Sequence, residues 1–144
     1  MPVRPATEHD LPEIAALIGE LAVYEHLEDE VSFAVDDLRA SLFGPDPAAQ
    51  VTMAHDGDTV VGFALWFRTF STFFGRPGIW LEDLFVRPEH RGRGHGLALL
   101  QHLRTLTDGR LEWAVLDWNT PSIEFYESLG ARPVDGWTRY RWLP

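Results

Sequence analysis

The chain has 144 residues, 45% of them hydrophobic and 24% charged, a composition typical of one globular domain over residues 1–144 and not of a disordered protein. Its 12 basic and 22 acidic residues give a formal net charge of −10, which argues against nucleic acid or an anionic membrane as a partner and favours a cationic ligand. There is no cysteine, which excludes disulfide bonds, thiolate metal sites and an acyl intermediate on cysteine.

The start of the chain and its apolar runs bear on its location. The opening residues, MPVRPATEHD, are polar and do not begin a signal peptide. The longest apolar run, residues 60–67, is too short to cross a bilayer. Together with the absence of cysteine, these features predict a cytoplasmic protein.

Residues 2–43 predict a short strand and two helices. The strand covers residues 2–5, and Thr7 then stands three residues before Asp10 in a capping arrangement. A helix to about residue 24 follows, because apolar residues recur along one helical face at Leu11, Ile14, Ile18 and Leu21. A second helix is predicted over 35–43, where Gly44-Pro45 stops it.

Residues 50–86 predict an antiparallel group of strands. Residues 51–55 and 59–67 flank Asp56-Gly57-Asp58, which is a hairpin signal. A loop at 70–78 then leads to a third strand at 78–86. Antiparallel strands after two helices are not the pattern of a doubly wound fold.

The last third of the chain returns to helices and isolated strands. A helix is predicted at about 95–107, and a bulky apolar strand, expected to be central in the sheet, at 111–118. Asn119 is expected to cap a helix that runs to Leu129 and ends at Gly130. One or two final strands are predicted from the residues 131–134 and 137–143.

A glycine-rich turn, RGRGHG at residues 91–96, joins the third strand to the next helix. Such a turn can hold phosphate, because glycines allow close approach and the helix N-terminus offers N–H groups and partial positive charge. A P-loop is excluded because the chain contains no lysine, and a dinucleotide fingerprint would need a parallel βαβ unit. Taken alone, the turn fits an ordinary glycine-rich connection equally well.

The wider sequence resembles the GNAT (Gcn5-related) N-acetyltransferases. The turn matches their Arg/Gln-x-x-Gly-x-Gly/Ala pyrophosphate motif, and the order of predicted elements matches theirs over nearly the whole chain. Three blocks resemble the spermidine/spermine (diamine) acetyltransferase branch: ELAVYEHLEDEV, WLEDLFVRPEHRGRGHG and WAVLDWNTPSIEFYESLGARP. The resemblance implies an α/β (α+β) fold whose mixed, mostly antiparallel central sheet is flanked by about four helices. It also implies acetyl-CoA as co-substrate and a homodimer.

The resemblance implies catalytic and substrate-binding residues. Glu82 becomes the base that deprotonates the substrate ammonium, directly or through water, with a hydrogen-bonded rim carboxylate as the alternative. Tyr126 becomes the general acid toward the coenzyme sulfur, although a helix tyrosine is by default a packing residue. Tyr24 and Glu25 become the amine-binding pair, since a ring face and a carboxylate suit an alkylammonium. Alternation along a strand predicts that Asp83 faces away from Glu82 and is structural.

The same resemblance implies how the coenzyme is held. Three consecutive strand residues would pair with the pantetheine through their backbone, namely Leu84, Phe85 and Val86. The turn would bind the pyrophosphate through Arg91, Gly92, Arg93, Gly94, His95, Gly96 and Leu97. Asn119, which also has the helix-capping role, and Ser122 complete this set. The side chain of His95 is expected to face solvent.

The predicted function is transfer of the acetyl group of acetyl-CoA to a primary amine of a small cationic substrate, by direct attack in a ternary complex. The substrate would be a diamine, a polyamine or a lysine-like amine, of the kind handled by thialysine-acetylating relatives. The chain ends soon after the last predicted strand, where polyamine enzymes continue, which weakens the case for polyamines. Alternatives are acetylation of a protein or antibiotic amine, or a non-catalytic acyl-CoA sensor. The six histidines are scattered, so no metal is expected.

Overall fold

The computed structural model describes residues 2–144. Five strands form one sheet in chain order: β1 Val3–Pro5, β2 Gln50–Asp56, β3 Thr59–Ser71, β4 Arg76–Val86 and β5 Leu111–Trp113. Neighbours pair antiparallel except β4 and β5, which run parallel. The α-helices of the described chain are α1 Leu11–Tyr24, α2 Val35–Phe43, α3 His95–Thr105 and α4 Thr120–Ser128. The predicted fold class is confirmed.

The chain divides into two compact units. The first ends at Ala114 and contains the sheet with α1, α2 and α3. The second runs from Val115 to Pro144 and contains α4. A single domain over residues 1–144 stays a prediction.

One face of the sheet in the first unit packs against α1 and α2. Residues spaced along one face of α1 meet alternating residues of the strands in a cluster made of Ile14, Leu17, Leu21, Leu42, Val51, Met53, Phe63 and Phe85. Ile18, predicted on this helical face, is only partly buried against the cluster. Helix α3 lies against β3 and β4 and buries Leu99, Leu100 and Leu103. Each buried leucine contributes about 1.5–3 kcal/mol to stability.

The N-terminal end of α1 is held by a network around Asp10. The Arg4 guanidinium donates to both oxygens of the Asp10 carboxylate, at 2.7 and 2.9 Å. The backbone N–H of Thr7 donates to Asp10 Oδ2 at 2.8 Å, which agrees with the predicted capping arrangement. These hydrogen bonds, with that from Arg4 first, lower the pKa of Asp10 to about 2 despite the effect of burial.

Two strand boundaries differ from the prediction. The loop expected at 70–78 is mostly strand, because β3 extends to Ser71 and β4 begins at Arg76 around a turn with Gly75 at φ 72°. The strand expected at 111–118 is only Leu111–Trp113, and it lies at the edge of the described sheet instead of its centre.

The strands expected at 131–134 and 137–143 are not formed, since residues 131–144 have no helix or strand. Large apolar side chains of this segment are exposed, among them Trp137, Tyr140 and Trp142. Their alternating, bulky sequence has strand character, but a strand needs a partner for its backbone ladder. The second unit has none, because its described residues form only α4 and irregular chain.

Candidate active site

A β-bulge at Glu82 sets the geometry of β4. Across the β3–β4 ladder Asp83 pairs with Leu65 and Leu81 pairs with Trp66, so Glu82 has no partner on β3. Leu65 and Trp66 are consecutive and face opposite sides of the sheet. Asp83 and Leu81 must therefore also face opposite sides, although they are two residues apart. Regular alternation, from which the sequence predicted that Glu82 and Asp83 face opposite sides, is therefore interrupted at this point.

Asp83 lies on the side of the sheet that packs against α1. Its partner Leu65 contacts the α1 cluster, and Phe85, two residues further along β4, is buried in that cluster. Burial is the main cause that raises the pKa of Asp83 to about 7, and the negative charges of Glu82 and Glu25 raise it further. The structural role predicted for Asp83 stays a prediction.

Glu82 has a different environment on the same strand. Its side chain is exposed, and its Oε2 accepts a hydrogen bond from the indole Nε1–H of Trp80 at 3.1 Å. This is the environment of the rim carboxylate that sequence reasoning kept as the alternative.

The end of α1 brings Tyr24 and Glu25 toward β4. His26, in the left-handed region at φ 60°, ends the helix, and the N–H of Leu27 donates to the Ala22 carbonyl at 2.8 Å. The Tyr24 ring lies 6.4 Å from the ring of Phe85, measured between centroids. Burial raises the pKa of Glu25. The predicted amine-binding pair and the predicted β4 residues are thus neighbours.

Arg91 links the glycine turn to these residues. Its guanidinium carbon lies 4.8 Å from the centre of the Tyr24 ring and 5.3 Å from that of Phe85. Its Nε–H donates to the carbonyl of Val86 at 2.7 Å. Cation–π contacts of this kind contribute about 0.5–1 kcal/mol at exposed sites. Residues predicted to bind amine, pantetheine and pyrophosphate therefore meet in the first unit.

The glycine turn has the backbone conformation that its sequence predicts. Gly92 and Gly94 have φ of 75° and 87°, a region that other residues rarely adopt, and Gly94 is the N-cap of α3. Gly96 and Leu97 follow in the first turn of that helix. Arg93 lies 3.8 Å from the carboxylate of Asp56, in an exposed pair. The first backbone N–H groups of α3 are thus available beside a flexible glycine segment.

His95 does not face solvent, and the expectation that it would is wrong. As the first residue of α3 it turns its ring into the protein, and only 3% of the residue is exposed. Its Nδ1 has no hydrogen-bond partner within residues 2–144. Any contact of this position with a coenzyme would therefore involve its backbone.

In the second unit, Asn119 begins α4 as predicted. Its Oδ1 accepts a hydrogen bond from the backbone N–H of Ser122 at 3.4 Å, and the residue is 5% exposed. Tyr126 lies on α4, is partly buried, and has its ring 5.6 Å from that of Phe125. The N-cap is confirmed, whereas the coenzyme and acid roles of these residues stay predictions.

Sequence reasoning missed Arg87, which directly precedes the turn region. Its guanidinium donates to both oxygens of Glu20, at 3.0 and 2.9 Å, to Glu13 at 2.9 Å and to the carbonyl of Val60 at 3.0 Å. It ties the end of β4 to α1 and β3 and so fixes where the turn begins. No local signal could have revealed it, since its acidic partners lie 67 and 74 residues away.

Metal-binding clusters and membrane-spanning helices are both absent from the described part of the chain. Between residues 2 and 144, no three His, Cys, Asp or Glu side chains are grouped so that they could hold a metal ion. No helix in the same range is long and apolar enough to cross a membrane.

The model of the acetyltransferase (GNAT) family matches residues 19–131, a range that includes the bulge, the glycine turn and α4. The chain belongs to this family, which confirms the resemblance read from the sequence.

Individual relatives indicate which members of the acetyltransferase family this chain resembles. A thialysine N-epsilon-acetyltransferase of Bos taurus is 38% identical over 96% of this chain and 90% of its own length. A spermidine/spermine N(1)-acetyltransferase-like protein 1 of Homo sapiens is 31% identical over 96% of this chain and 22% of its own. An integron cassette protein from the mobile metagenome of V. cholerae superposes with a TM-score of 0.80 at 28% identity, over 99% of this chain and 92% of that one. The present chain is an amine N-acetyltransferase.

Proposed function

We propose that this enzyme acetylates a primary amine of a small substrate that carries additional positive charge, with acetyl-CoA as donor. A lysine-like amine such as thialysine is the first candidate, because the relative of that name matches nearly the whole chain. Diamines are the second, through the spermidine/spermine acetyltransferase-like relative. The observation that carries the proposal is a group of carboxylates from the end of α1 and from β4, since the negative charges of Glu82 and Glu25 both raise the pKa of Asp83.

The proposed amine site uses the end of α1. The Tyr24 ring and the Glu25 carboxylate would hold an alkylammonium by cation–π and charge contacts. The contact between Arg91 and the Tyr24 ring, at 4.8 Å, supports the proposal only in that the ring takes part in a cation–π contact. The net charge of −10 would attract such a substrate from solution.

The proposed coenzyme site uses the end of β4 and the turn after it. Backbone groups of Leu84, Phe85 and Val86 would pair with the pantetheine, as an added strand does. The N–H groups of the turn would bind the pyrophosphate through Arg91, Gly92, Arg93, Gly94, His95, Gly96 and Leu97. In the second unit, Asn119 and Ser122 at the start of α4 would contribute further contacts. The positive φ of Gly92 and Gly94 and the helix start at His95 support this proposal.

The proposed chemistry needs a base and an acid. A carboxylate of β4 would accept the proton of the substrate ammonium, and family resemblance gives this role to Glu82, acting directly or through water. Tyr126 would protonate the departing thiolate. Attack would be direct, since the chain has no cysteine to carry an acetyl group.

The experiment is a panel of amines with acetyl-CoA, followed by release of free thiol. Four amines with additional positive charge, namely thialysine, lysine, a diamine and spermidine, are compared with a monoamine. The monoamine has the same chain length and carries no second charge. We expect the cationic amines to be acetylated and the monoamine to react at least about tenfold more slowly, the effect of roughly 1.4 kcal/mol of lost charge contact. In the same assay Tyr126→Phe should lower turnover about 10- to 1000-fold. A monoamine that reacts as well as the cationic amines would contradict the proposed substrate class.

A homodimer in the cytoplasm is also proposed, on family resemblance and on the cysteine-free composition. Light scattering of the purified protein tests the first part and cell fractionation the second. A monomer at micromolar concentration would overturn the dimer.

A further inference from the structure

We propose that a small cleft near the start of β4 binds the head group of a free α-amino acid, with the carboxylate on two arginines and the ammonium on a glutamate. The cleft has a volume of about 70 Å³, and the residues that line it include Thr69, Ser71, Arg76, Gly78, Arg110 and Glu112. All of them belong to the first unit. The inference goes beyond the proposed function and is independent of it, because none of these residues is assigned to the coenzyme or to the acetylated amine.

The register of the sheet brings the polar lining residues to one face. Thr69 pairs with Gly78 across the β3–β4 ladder. Ser71 pairs with Arg76 in the same ladder, and residues that are directly paired share a face. On β5, Glu112 pairs with the residue that comes two positions after Gly78, so it also lies on this face. Hydroxyl groups of β3 and charged residues of β4 and β5 therefore line the same cleft.

The backbone at the base of the cleft is closely packed around Gly78. A Cβ atom at this position would lie 2.6 Å from the carbonyl oxygen of Arg110 and 2.9 Å from Oγ1 of Thr69, so only glycine fits. The next residue, Ile79, donates its N–H to the same Arg110 carbonyl at 2.8 Å. The cleft is thus formed by backbone that is already hydrogen-bonded, and a ligand need not order it.

The charged residues of the cleft are not paired with one another. No ion pair within residues 2–144 involves Arg76, Arg110 or Glu112. The Arg76 guanidinium lies instead over the ring of Phe74, 5.5 Å from its centre. Opposite charges that line one cleft without pairing are suited to a ligand that carries both charges.

This combination of charges favours an α-amino acid over other small ions. A planar carboxylate fits the parallel N–H donors of arginine, and the hydroxyls of Thr69 and Ser71 can donate further hydrogen bonds to it. The negative charge of Glu112 would repel phosphate, whereas it would attract the α-ammonium of an amino acid. An α-amino acid carries both charges on one compact head group.

The cleft lies at the opposite end of β4 from the proposed coenzyme site. Gly78 and Val86 are eight residues apart on this strand, or about 26 Å in extended conformation, and the glycine turn follows Val86. The proposed amino-acid site is therefore a second site and not an extension of the first.

The test is an NMR titration of the full chain without acetyl-CoA, followed through the backbone amide signals of Gly78 and Gly109. The probes are L-alanine, propionate, ethylamine and inorganic phosphate. We expect L-alanine to shift these signals saturably and to bind at least about threefold more tightly than each of the other three, since each partly exposed charge contact adds a modest gain. No saturable shift at tens of millimolar L-alanine would overturn the inference.

Two substitutions should separate an amino-acid site from a simple anion site. Arg110→Gln should weaken the binding of L-alanine, propionate and phosphate alike. Glu112→Gln should weaken L-alanine but strengthen propionate and phosphate, because the repulsive charge is removed. Arg132→Gln, at an exposed arginine of the second unit, is the matched control and should change none of these affinities. Phosphate that binds wild type as tightly as L-alanine, or a Glu112→Gln variant that weakens both equally, would overturn the proposed ligand class.

Discussion

Two aspartates, Asp10 at the N-terminal end of α1 and Asp83 on β4 near its C-terminal end, have opposite electrostatic surroundings. At the N-terminal end Asp10 receives hydrogen bonds from Arg4 and Thr7, and its pKa falls to about 2. At the C-terminal end Asp83 faces Glu25 and Glu82, and its pKa rises to about 7. A charge that is satisfied by hydrogen bonds stabilises the fold, whereas a buried charge without a counter-charge costs stability.

The largest expected effect concerns the turn that Arg91 joins to the C-terminal end of α1. Gly94→Asp should weaken acetyl-CoA binding at least about 100-fold, or roughly 2.7 kcal/mol, while the protein stays folded. Gly94 has φ 87°, and an aspartate there adds a side chain and a negative charge where phosphate is expected. Calorimetry measures the affinity.

Gly75→Asp is the control for that change. Gly75 has a similar φ of 72°, with open space where a side chain would begin, but lies in the β3–β4 turn. Gly75→Asp should introduce the same backbone strain as Gly94→Asp and leave the affinity for acetyl-CoA unchanged. Equal losses of acetyl-CoA affinity in both variants would mean that the turn at residues 91–96 is not part of the coenzyme site.

The next largest effect is expected at the N-terminal end of α1. Asp10→Asn should lower the free energy of unfolding by about 1–2 kcal/mol at pH 7, allowing for solvent screening of the half-exposed Arg4. Because the folded pKa of Asp10 is below its ordinary value of 3.8, this stabilisation is present above about pH 4 and is lost as pH falls toward 2. Urea unfolding at several pH values measures it. A stability difference that persists at pH 2 would mean that the pair acts by packing and not by charge.

The smallest effect concerns Glu25. Glu25→Gln should raise KM for a diamine more than for a matched monoamine, by a factor of about five or less, since a partly exposed charge pair contributes at most roughly 1 kcal/mol. Steady-state kinetics on both amines give the ratio. Equal changes for the two substrates would place Glu25 outside the amine site.

Much of the fold follows from local signals. Helix α2 has the predicted bounds because Gly44-Pro45 stops it, and the turn at residues 91–96 is set by glycines that need positive φ. The family resemblance likewise depended on short, contiguous blocks. These features are readable because their causes lie within a few residues of one another.

The features that the sequence did not predict depend on residues that are far apart in the chain. The bulge at Glu82 is a property of the register with Leu65 and Trp66, which no pattern within β4 contains. Arg87 likewise depends on Glu13 and Glu20 in α1. The role predicted for Glu82 came from the family resemblance, whereas the expectation that Asp83 faces the other way came from regular alternation, which the bulge interrupts.

The most direct test of the account is the stability of Asp83→Asn relative to wild type at pH 8 and pH 5. A folded pKa of about 7, above the ordinary 3.8, means that ionising Asp83 costs stability progressively as pH rises from about 4 to 7. The variant should therefore be more stable than wild type by about 1–3 kcal/mol at pH 8, with a smaller gain at pH 5. A variant that is less stable at pH 8, or a gain that does not change with pH, would contradict the claim that Asp83 is buried without a counter-charge.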